Sequence, residues 1–419
     1  MIDSLFARTY LIARFQKSPL QPHLSDLASI LNQQGYSRNV IRTYLCSGEK
    51  FGRWMTANEL NSSDVDERLI GQYIDEIRRE GANSGSRKIL KARAGLSHLV
   101  RVLRERQVIL PAPVASPGNA VDTWLLKFEQ YLVQVVGAAV NTRKRYLSLA
   151  KRFVDQQFGD GPIQWGSLQA DHITAFVSKE AATKKGFGRK AVPVAIRAVL
   201  RFLVSSGEIR AGLEAAVPTM RNWKYAALPR HVPDDQLERA LANCRDISPK
   251  SRRNLAILLL LARLGMRANE VVQLRLEDID WRSGQLFIRP GKTHTERVLP
   301  LSQEVGDCLA EYLTKARPRS ESLRFFLNYR PPFLPLAGAS AVTKIAKRAL
   351  LNSGFEQGPL IGAHNFRHTV ASAMVSKGAT FKDVADVLGH QSLQTTGIYA
   401  KLDLKALAKV ALPWGGGAK

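Results

Sequence analysis

The sequence predicts a mainly α-helical protein with two helical-bundle modules and a larger C-terminal segment that is mixed α/β, mostly helical with a small antiparallel sheet. Two observations support this division. Proline and glycine interrupt the chain at residues 111–118 and again between 217 and 233, where a regular helix cannot continue. Between these breaks apolar residues recur at helical spacing, as in Ile196, Val199 and Leu203. We therefore expect helical bundles joined by linkers.

The first two modules resemble each other in sequence. Residues 35–45 align with residues 137–147, and matched positions further along keep an offset of 102 or 103 residues. The matched pairs are Tyr44 with Tyr146, Phe51 with Phe153, Tyr73 with Phe176, Ile74 with Val177 and Leu99 with Phe202. A near-constant offset predicts duplication of one helical unit, although helical segments can also align by pattern alone.

These breaks divide the chain into six parts. They are an N-terminal leader (1–22), a first helical module (23–110), a second helical module (119–213), a linker (214–233), a C-terminal domain (234–414) and a tail (415–419). Basic residues in the linker would suit a strap along a phosphate backbone, and a plain solvated linker is the alternative. The basic residues of the first module favour a role in DNA binding. The alternative is that this module is a scaffold or binds another protein.

Basic residues outnumber acidic residues by a wide margin. The 419 residues include 61 Lys and Arg against 36 Asp and Glu, which gives a formal net charge of +25. Such an excess attracts polyanions, and nucleic acid is the most frequent partner of this kind. Hydrophobic residues make up 45%, which is an ordinary globular composition and excludes a disordered chain. We therefore expect a folded nucleic-acid-binding protein.

Cysteine usage and hydropathy indicate the compartment. Three cysteines lie far apart without a Cys-x-x-Cys pair, so a disulfide framework or a zinc site is not expected. The longest apolar run, Leu255–Ala262, is too short to span a bilayer. Asp3, Arg8 and Arg14 interrupt what would be a signal-peptide core. These features predict a cytoplasmic protein without a membrane partner.

The C-terminal domain shows a hairpin pattern between helical segments. β-Forming residues at 286–288 and 297–301 flank a turn around Pro290 and Gly291, which predicts an antiparallel hairpin. Helices are predicted at Asn254–Leu264, Ala268–Leu274, Gln303–Ala316, Ala339–Ser353, His364–Lys377 and Lys382–Leu388.

A set of cations, histidines and one tyrosine recurs at fixed intervals in this domain. The candidate catalytic residues are Arg267, Lys292, His364, Arg367, His390 and Tyr399. Arginine suits the grip on a phosphodiester because its planar fork donates two hydrogen bonds and keeps its charge. A phenol has a pKa of about 10 and needs help to become a nucleophile at neutral pH. The set can hold a phosphodiester and transfer its phosphorus to Tyr399.

Each of these residues also has a plain structural alternative. Arg267 could form an ion pair with Glu270 one turn later, Lys292 could be an exposed turn lysine, and Tyr399 could pack in a core. His368 follows Arg367 directly, and we expect it to point away from the face that carries His364 and Arg367 and to be structural.

In their sequence contexts these residues resemble the tyrosine recombinase (phage integrase) family. The segments that carry the resemblance are Arg263–Glu270, Pro290–Leu301, His364–His368 and Leu388–Tyr399. The resemblance extends over the whole C-terminal domain, which would be the catalytic domain. The second module takes the place of the core-binding domain, and the first resembles the same module. Met266 and Phe366 stand where the family often has leucine.

The resemblance implies a role for each residue. Arg267 and Arg367 would clamp the phosphate, and His390 would donate to a non-bridging oxygen. Lys292 would protonate the leaving 5′ oxygen, and His364 would orient or deprotonate the phenol of Tyr399. The product would be a 3′-phosphotyrosine, formed without a cofactor or a metal.

The implied activity is site-specific DNA recombination, serving a mobile element through integration, excision or transposition. The partners would be double-stranded DNA with specific recombination sites and further copies of the chain, as a tetramer on DNA. A helix at 403–412 would dock on a neighbouring protomer or on its own domain, and the sequence leaves this open. Two alternative functions are a type IB topoisomerase-like enzyme and a non-catalytic DNA-binding regulator.

Overall fold

The computed structural model describes residues 2–6, 9–80, 86–109, 120–159, 161–184, 187–220, 231–290, 296–355, 361–390, Thr396, Ile398 and Tyr399. The chain divides into two compact units. One unit comprises Met1–Ile109 together with Tyr225–Lys419, and the other comprises Leu110–Lys224.

The first helical module consists of six helices around one apolar core. They are α1 (Ile2–Leu5), α2 (Thr9–Gln16), α3 (Gln21–Gln33), α4 (Arg38–Ala57), α5 (Glu67–Glu80) and α6 (Ser86–Glu105). The segment separated as a leader in the sequence contributes Ile2, Phe6 and Phe15 to this core. Its helices α1 and α2 therefore pack with the module that follows.

The second unit repeats the order of helices α3–α6 of the first module. It contains α7 (Ala120–Gln134), α8 (Val140–Phe158), α9 (Ala170–Ala182) and α10 (Phe187–Ser205). The aligned phenylalanines Phe51 and Phe153 are both fully buried, and so are the aligned Ile74 and Val177. Each such side chain contributes about 1.5–3 kcal/mol by burial. The sequence alignment therefore matches positions that have the same structural role.

The C-terminal domain is mostly helical. Its helices are α11 (Asp234–Ala242), α12 (Pro249–Ala262), α13 (Ala268–Gln273), α14 (Gln303–Glu311), α15 (Ala339–Asn352), α16 (Ala363–Ser376) and α17 (Phe381–Leu388). The seven consecutive residues of α12 from Ala256 to Ala262 are buried, which explains the unbroken apolar run. Ser248 caps α12 by accepting a hydrogen bond from the Ser251 N–H, and Pro249 occupies its first turn. The predicted helices of this domain are confirmed to within a few residues at their ends, with α12 beginning five residues earlier.

A three-stranded antiparallel sheet lies between α13 and α14. Its strands are β1 (Ile279–Asp280), β2 (Gln285–Ile288) and β3 (Arg297–Pro300), in the order β1-β2-β3. Leu286 pairs with Leu299, and both are buried, so this face of the hairpin packs on the core. The predicted hairpin is confirmed. Strand β1 was not predicted because a strand of two residues is too short to show an alternating pattern.

No helix in the described part of the chain is long and apolar enough to cross a membrane. The three cysteines, Cys46, Cys244 and Cys308, are unpaired and half-buried. Burial, with Glu311 and Glu304 nearby, raises the pKa of the Cys308 thiol to about 11. This thiol is therefore protonated and unreactive at neutral pH.

Candidate active site

Two arginines from distant parts of the chain meet beside the C-terminal end of α17. Arg267 Nη2 donates to the Gly389 carbonyl at 2.6 Å, and Arg367 Nη2 donates to the preceding carbonyl, that of Leu388. Consecutive backbone carbonyls therefore anchor both guanidinium groups. Each arginine has five N–H donors, so several remain for a ligand.

A left-handed turn between α12 and α13 brings Arg267 to this position. Gly265 has φ +60°, and a Cβ built there would lie 2.6 Å from Leu388 Cδ2, so only glycine fits without displacement. Its carbonyl accepts a hydrogen bond from Arg367 Nη1 at 2.7 Å. Arg367 itself is only 5% exposed. The turn therefore holds both arginines at once.

The predicted ion pair between Arg267 and Glu270 is also present. Arg267 Nη1 lies 2.8 Å from Glu270 Oε1, and the backbone N–H of Arg267 donates to Oε2 at 2.8 Å. Arg267 can therefore form this structural ion pair and still offer donors to a phosphate. Arg297 on β3 binds the same carboxylate. Three guanidinium groups thus share this region with one carboxylate, which leaves an excess of positive charge for an anion.

His390 follows the glycine that ends α17. Gly389 adopts φ +62° as the left-handed C-cap, and this turn directs the chain toward the arginines. His390 Nδ1 lies 2.8 Å from Thr396 Oγ1. Burial, followed by Arg367 and Arg267, lowers the pKa of His390 to about 4. The ring is neutral at physiological pH and can donate one N–H.

Tyr399 lies next to His368 in a small apolar cluster. The phenol oxygen is 2.7 Å from His368 Nδ1, and the tyrosine is only 2% exposed. The expectation that His368 points away from the site is wrong. Residues four apart share a helical face, so His368 lies one turn after His364 on α16, with ring centroids 6.2 Å apart. The described hydrogen bond of Tyr399 is therefore with His368 and not with His364.

Burial and positive charge determine the protonation states in this region. Burial raises the pKa of Tyr399 to about 12, although Arg367 acts in the opposite direction. Burial, followed by His364 and Arg367, lowers the pKa of His368 to about 4. The pKa of His364 is also lowered, by desolvation first and then by Arg367 and Arg267, even though this side chain reaches solvent. A neutral His368 can accept the hydrogen of a protonated phenol.

Of the six sequence-predicted residues, Arg267, His364, Arg367, His390 and Tyr399 lie in one region of the C-terminal domain. Lys292 lies outside the described residues. Sequence reasoning missed Arg297 and misassigned His368. The four-residue spacing from His364 could have identified His368, whereas nothing in the local sequence indicates that Arg297 reaches Glu270.

Comparisons with known proteins identify one family, through a match to part of the chain and a match to nearly all of it. Residues 230–405 match the phage integrase family. The chain is 34% identical over 412 residues to the integrase/recombinase y4rA of Sinorhizobium fredii, which covers 98% of each chain.

Solved structures agree in fold. A XerH site-specific recombinase bound to a palindromic difH substrate matches with a TM-score of 0.54 at 19% identity, covering 82% of this chain and 94% of the other. A lambda integrase dimer bound to a COC′ core site matches with a TM-score of 0.51 at 19% identity, covering 73% and 86%. The relative that matches along nearly the whole length, together with this fold, shows that the chain belongs to the phage integrase family and is a tyrosine recombinase.

Proposed function

We propose that this protein cuts and rejoins DNA at specific sites through a 3′-phosphotyrosine on Tyr399. The observation that carries the proposal is the anchoring of Arg267 and Arg367 on the consecutive carbonyls of Leu388 and Gly389, directly before His390. Two fixed guanidinium groups and a histidine thus converge on one position. Such an arrangement fits a single phosphate and would stabilise the charge that grows on its oxygens in the transition state.

The reaction would proceed in two steps. The phenol oxygen of Tyr399 attacks the phosphorus and loses its proton, and the bond to the 5′ oxygen breaks as Lys292 protonates that oxygen. A 5′-hydroxyl from another strand then attacks the phosphotyrosine and gives its proton to Lys292, while the leaving phenolate takes back the proton it lost in the first step. The ester conserves the energy of the broken bond, so rejoining needs no nucleotide triphosphate. His364 would orient the phenol or accept its proton.

The buried phenol must move before it can react. At 2% exposure, Tyr399 Oη cannot reach the phosphorus of a duplex outside the protein. Its pKa of about 12 also keeps the phenol protonated in this position. We therefore infer that the described conformation precedes cleavage. Tyr399 must leave its apolar cluster to reach the catalytic conformation.

The two helical modules would provide most of the DNA contacts. Lys144 and Arg152 are exposed on α8, and Arg42 and Lys50, which match them at an offset of 102 residues, are exposed on α4. If about 6–10 phosphates are neutralised, affinity should fall by about 10³–10⁵ between 50 and 200 mM salt. The matched recombinase structures bind difH and COC′ DNA, and the lambda integrase is a dimer there. By analogy this protein would act in the cytoplasm on a mobile element's recombination sites, as a tetramer.

The test is covalent trapping on nicked suicide duplexes made from the DNA that flanks the gene. Wild type should form an adduct that survives a denaturing gel, and Tyr399→Phe should form none while binding the same DNA. Tyr312→Phe is the matched control, because its hydroxyl accepts a hydrogen bond from the Leu327 N–H inside the domain core. Wild-type protein that binds these duplexes without any adduct would favour the non-catalytic regulator.

A relaxation assay separates the topoisomerase-like alternative. That alternative would be supported if the protein, at concentrations where it is a monomer, relaxed a supercoiled plasmid that lacks any recombination site. The recombinase should instead need its own site and should yield exchanged strands.

A further inference from the structure

Arg297 lies beneath the candidate site without belonging to the predicted catalytic set. It begins strand β3, and its side chain is only 8% exposed. Nη2 lies 2.8 Å from Glu270 Oε2, and Nη1 lies 3.1 Å from Glu270 Oε1, so the fork binds both carboxylate oxygens. This two-point geometry fixes the carboxylate in plane and in distance.

The same carboxylate also binds Arg267. Glu270 accepts four hydrogen bonds, two from Arg297, one from Arg267 Nη1 and one from the Arg267 backbone. Its position is therefore set jointly by β3 and by the start of α13. Arg297 also lies against Gly389, where an added Cβ would be 2.7 Å from Arg297 Nη1. Gly389 provides the carbonyl that anchors Arg267, so Arg297 contacts both supports of that guanidinium.

We propose that Arg297 is a positioning residue for the phosphate clamp, acting through Glu270 and Gly389 on Arg267. The inference rests on the proposed function, because it assumes that Arg267 binds the scissile phosphate. Arg297 itself would not contact the DNA. If so, Arg267 and strand β3 should keep a fixed position relative to each other during cleavage.

Arg297 should contribute to the orientation of Arg267 more than to the stability of the fold. A buried ion pair contributes little net stability compared with apolar residues of similar volume, since desolvation of both charges offsets their attraction. What the pair does provide is direction, because a guanidinium held by two carboxylate oxygens cannot rotate freely. A lysine at the same place keeps the charge but offers a point contact.

The first experiment compares Arg297→Lys with wild type on the nicked suicide duplex at saturating DNA. We expect the single-turnover rate of adduct formation to fall about tenfold or more, with the dissociation constant for DNA changed less than about twofold. The matched control is Arg263→Lys, since Arg263 also bridges carboxylates of the same domain, those of Glu304 and Glu238. The control should cleave at the wild-type rate. A wild-type rate in Arg297→Lys would overturn the proposal.

A second substrate separates positioning of the clamp from a general loss of folding. A methylphosphonate at the scissile position replaces one charged oxygen by a neutral methyl, so its transition state needs the clamp less. The deficit of Arg297→Lys relative to wild type should shrink at least about fivefold on this substrate. An equal deficit on both substrates would mean that Arg297 supports only the fold, and would overturn the proposal.

A third substrate tests the competing route through Lys292. A 5′-bridging sulfur leaves as a thiolate without protonation, so it bypasses a general acid. We expect no recovery of Arg297→Lys on this substrate. Recovery here, without recovery on the methylphosphonate, would assign Arg297 to the placement of Lys292 and would refute the clamp role.

If Arg297→Lys melts below the assay temperature, the double variant Arg297→Met with Glu270→Met takes its place. It removes both charges of the buried pair and retains apolar bulk, while Arg267, whose side chain is 28% exposed, keeps its anchor at the Gly389 carbonyl, so the variant should fold better than one that removes Glu270 alone. It should show the same slow cleavage and the same recovery on the methylphosphonate. Failure of the proposed function remains distinguishable, because wild type itself would then form no adduct on any substrate.

Discussion

Replacing His368 by phenylalanine should accelerate formation of the covalent adduct. Tyr399 is 2% exposed, and its phenol oxygen lies 2.7 Å from His368 Nδ1. This hydrogen bond stabilises the withdrawn conformation, from which the oxygen cannot reach DNA. Phenylalanine retains an aromatic ring of similar size in this half-buried place and removes the acceptor.

The size of the effect follows from the energy of one hydrogen bond. A protein hydrogen bond contributes about 0.5–1.5 kcal/mol net, and 1.4 kcal/mol corresponds to about a tenfold change in an equilibrium. The released conformation should therefore be about two- to twelvefold more populated in His368→Phe. If release precedes attack, the adduct should form faster by the same factor.

The assay is single-turnover adduct formation on the nicked duplex with DNA in excess. His368→Asn is the matched control, because the amide oxygen of asparagine can accept a hydrogen bond near the position of Nδ1, and it should retain the wild-type rate. A decrease of tenfold or more in both His368→Phe and His368→Asn would show that His368 takes the phenol's proton during attack, because an amide can accept a hydrogen bond but cannot act as a base. That result would refute the holding role.

Three further predictions concern pH, a turn and a buried carboxylate. His368 and His390 have folded-state pKa values of about 4 against about 6.5 when unfolded, so the unfolded chain binds protons first as pH falls. The stability that these neutral histidines contribute is fully present above pH 6.5 and is lost as the pH falls toward 4. After allowance for partial solvation, the loss should be about 1–2 kcal/mol for each histidine. It should appear as a lower melting temperature at about pH 5, and the melting temperature of His368→Asn should depend less on pH. Gly265→Ala should cost about 1–3 kcal/mol and slow cleavage, since φ is +60° and its carbonyl binds Arg367, and an unchanged melting curve would contradict the strain argument. Glu270→Gln leaves two guanidinium groups without their carboxylate and should destabilise the protein by about 3–5 kcal/mol in thermal melts, whereas a loss below about 1 kcal/mol would mean that water replaces the carboxylate.

Several features followed from local sequence because they depend on neighbours along the chain. The helices of the catalytic domain were predictable since apolar spacing acts within a few residues, but α12 was predicted to start five residues late because the cap at Ser248 and Pro249 was not recognised. The hairpin followed from β-formers on both sides of Pro290 and Gly291. The repeat followed from a constant offset, and buried Phe51 and Phe153 occupy equivalent places in it.

The partners of side chains across the fold did not follow from the sequence. Arg297 and Glu270 are 27 residues apart, and Arg367 binds a carbonyl 102 residues away, at Gly265. No periodicity encodes such pairs, because they depend on how helices and strands pack. His368 was misassigned for a related reason: its neighbour in sequence, Arg367, was considered, but its partner in space, Tyr399, was not.

The sequence by itself determined which chemistry this protein carries, since arginines, histidines and a tyrosine at these spacings have few other uses together. Only the tertiary structure decided how these residues contact one another and whether they are accessible to DNA. It buries Tyr399, the proposed nucleophile, against His368, and it supports Arg267 of the proposed clamp through a carboxylate shared with Arg297. The physical reason is that reactivity depends on distance and solvent access, which arise only when distant segments pack together.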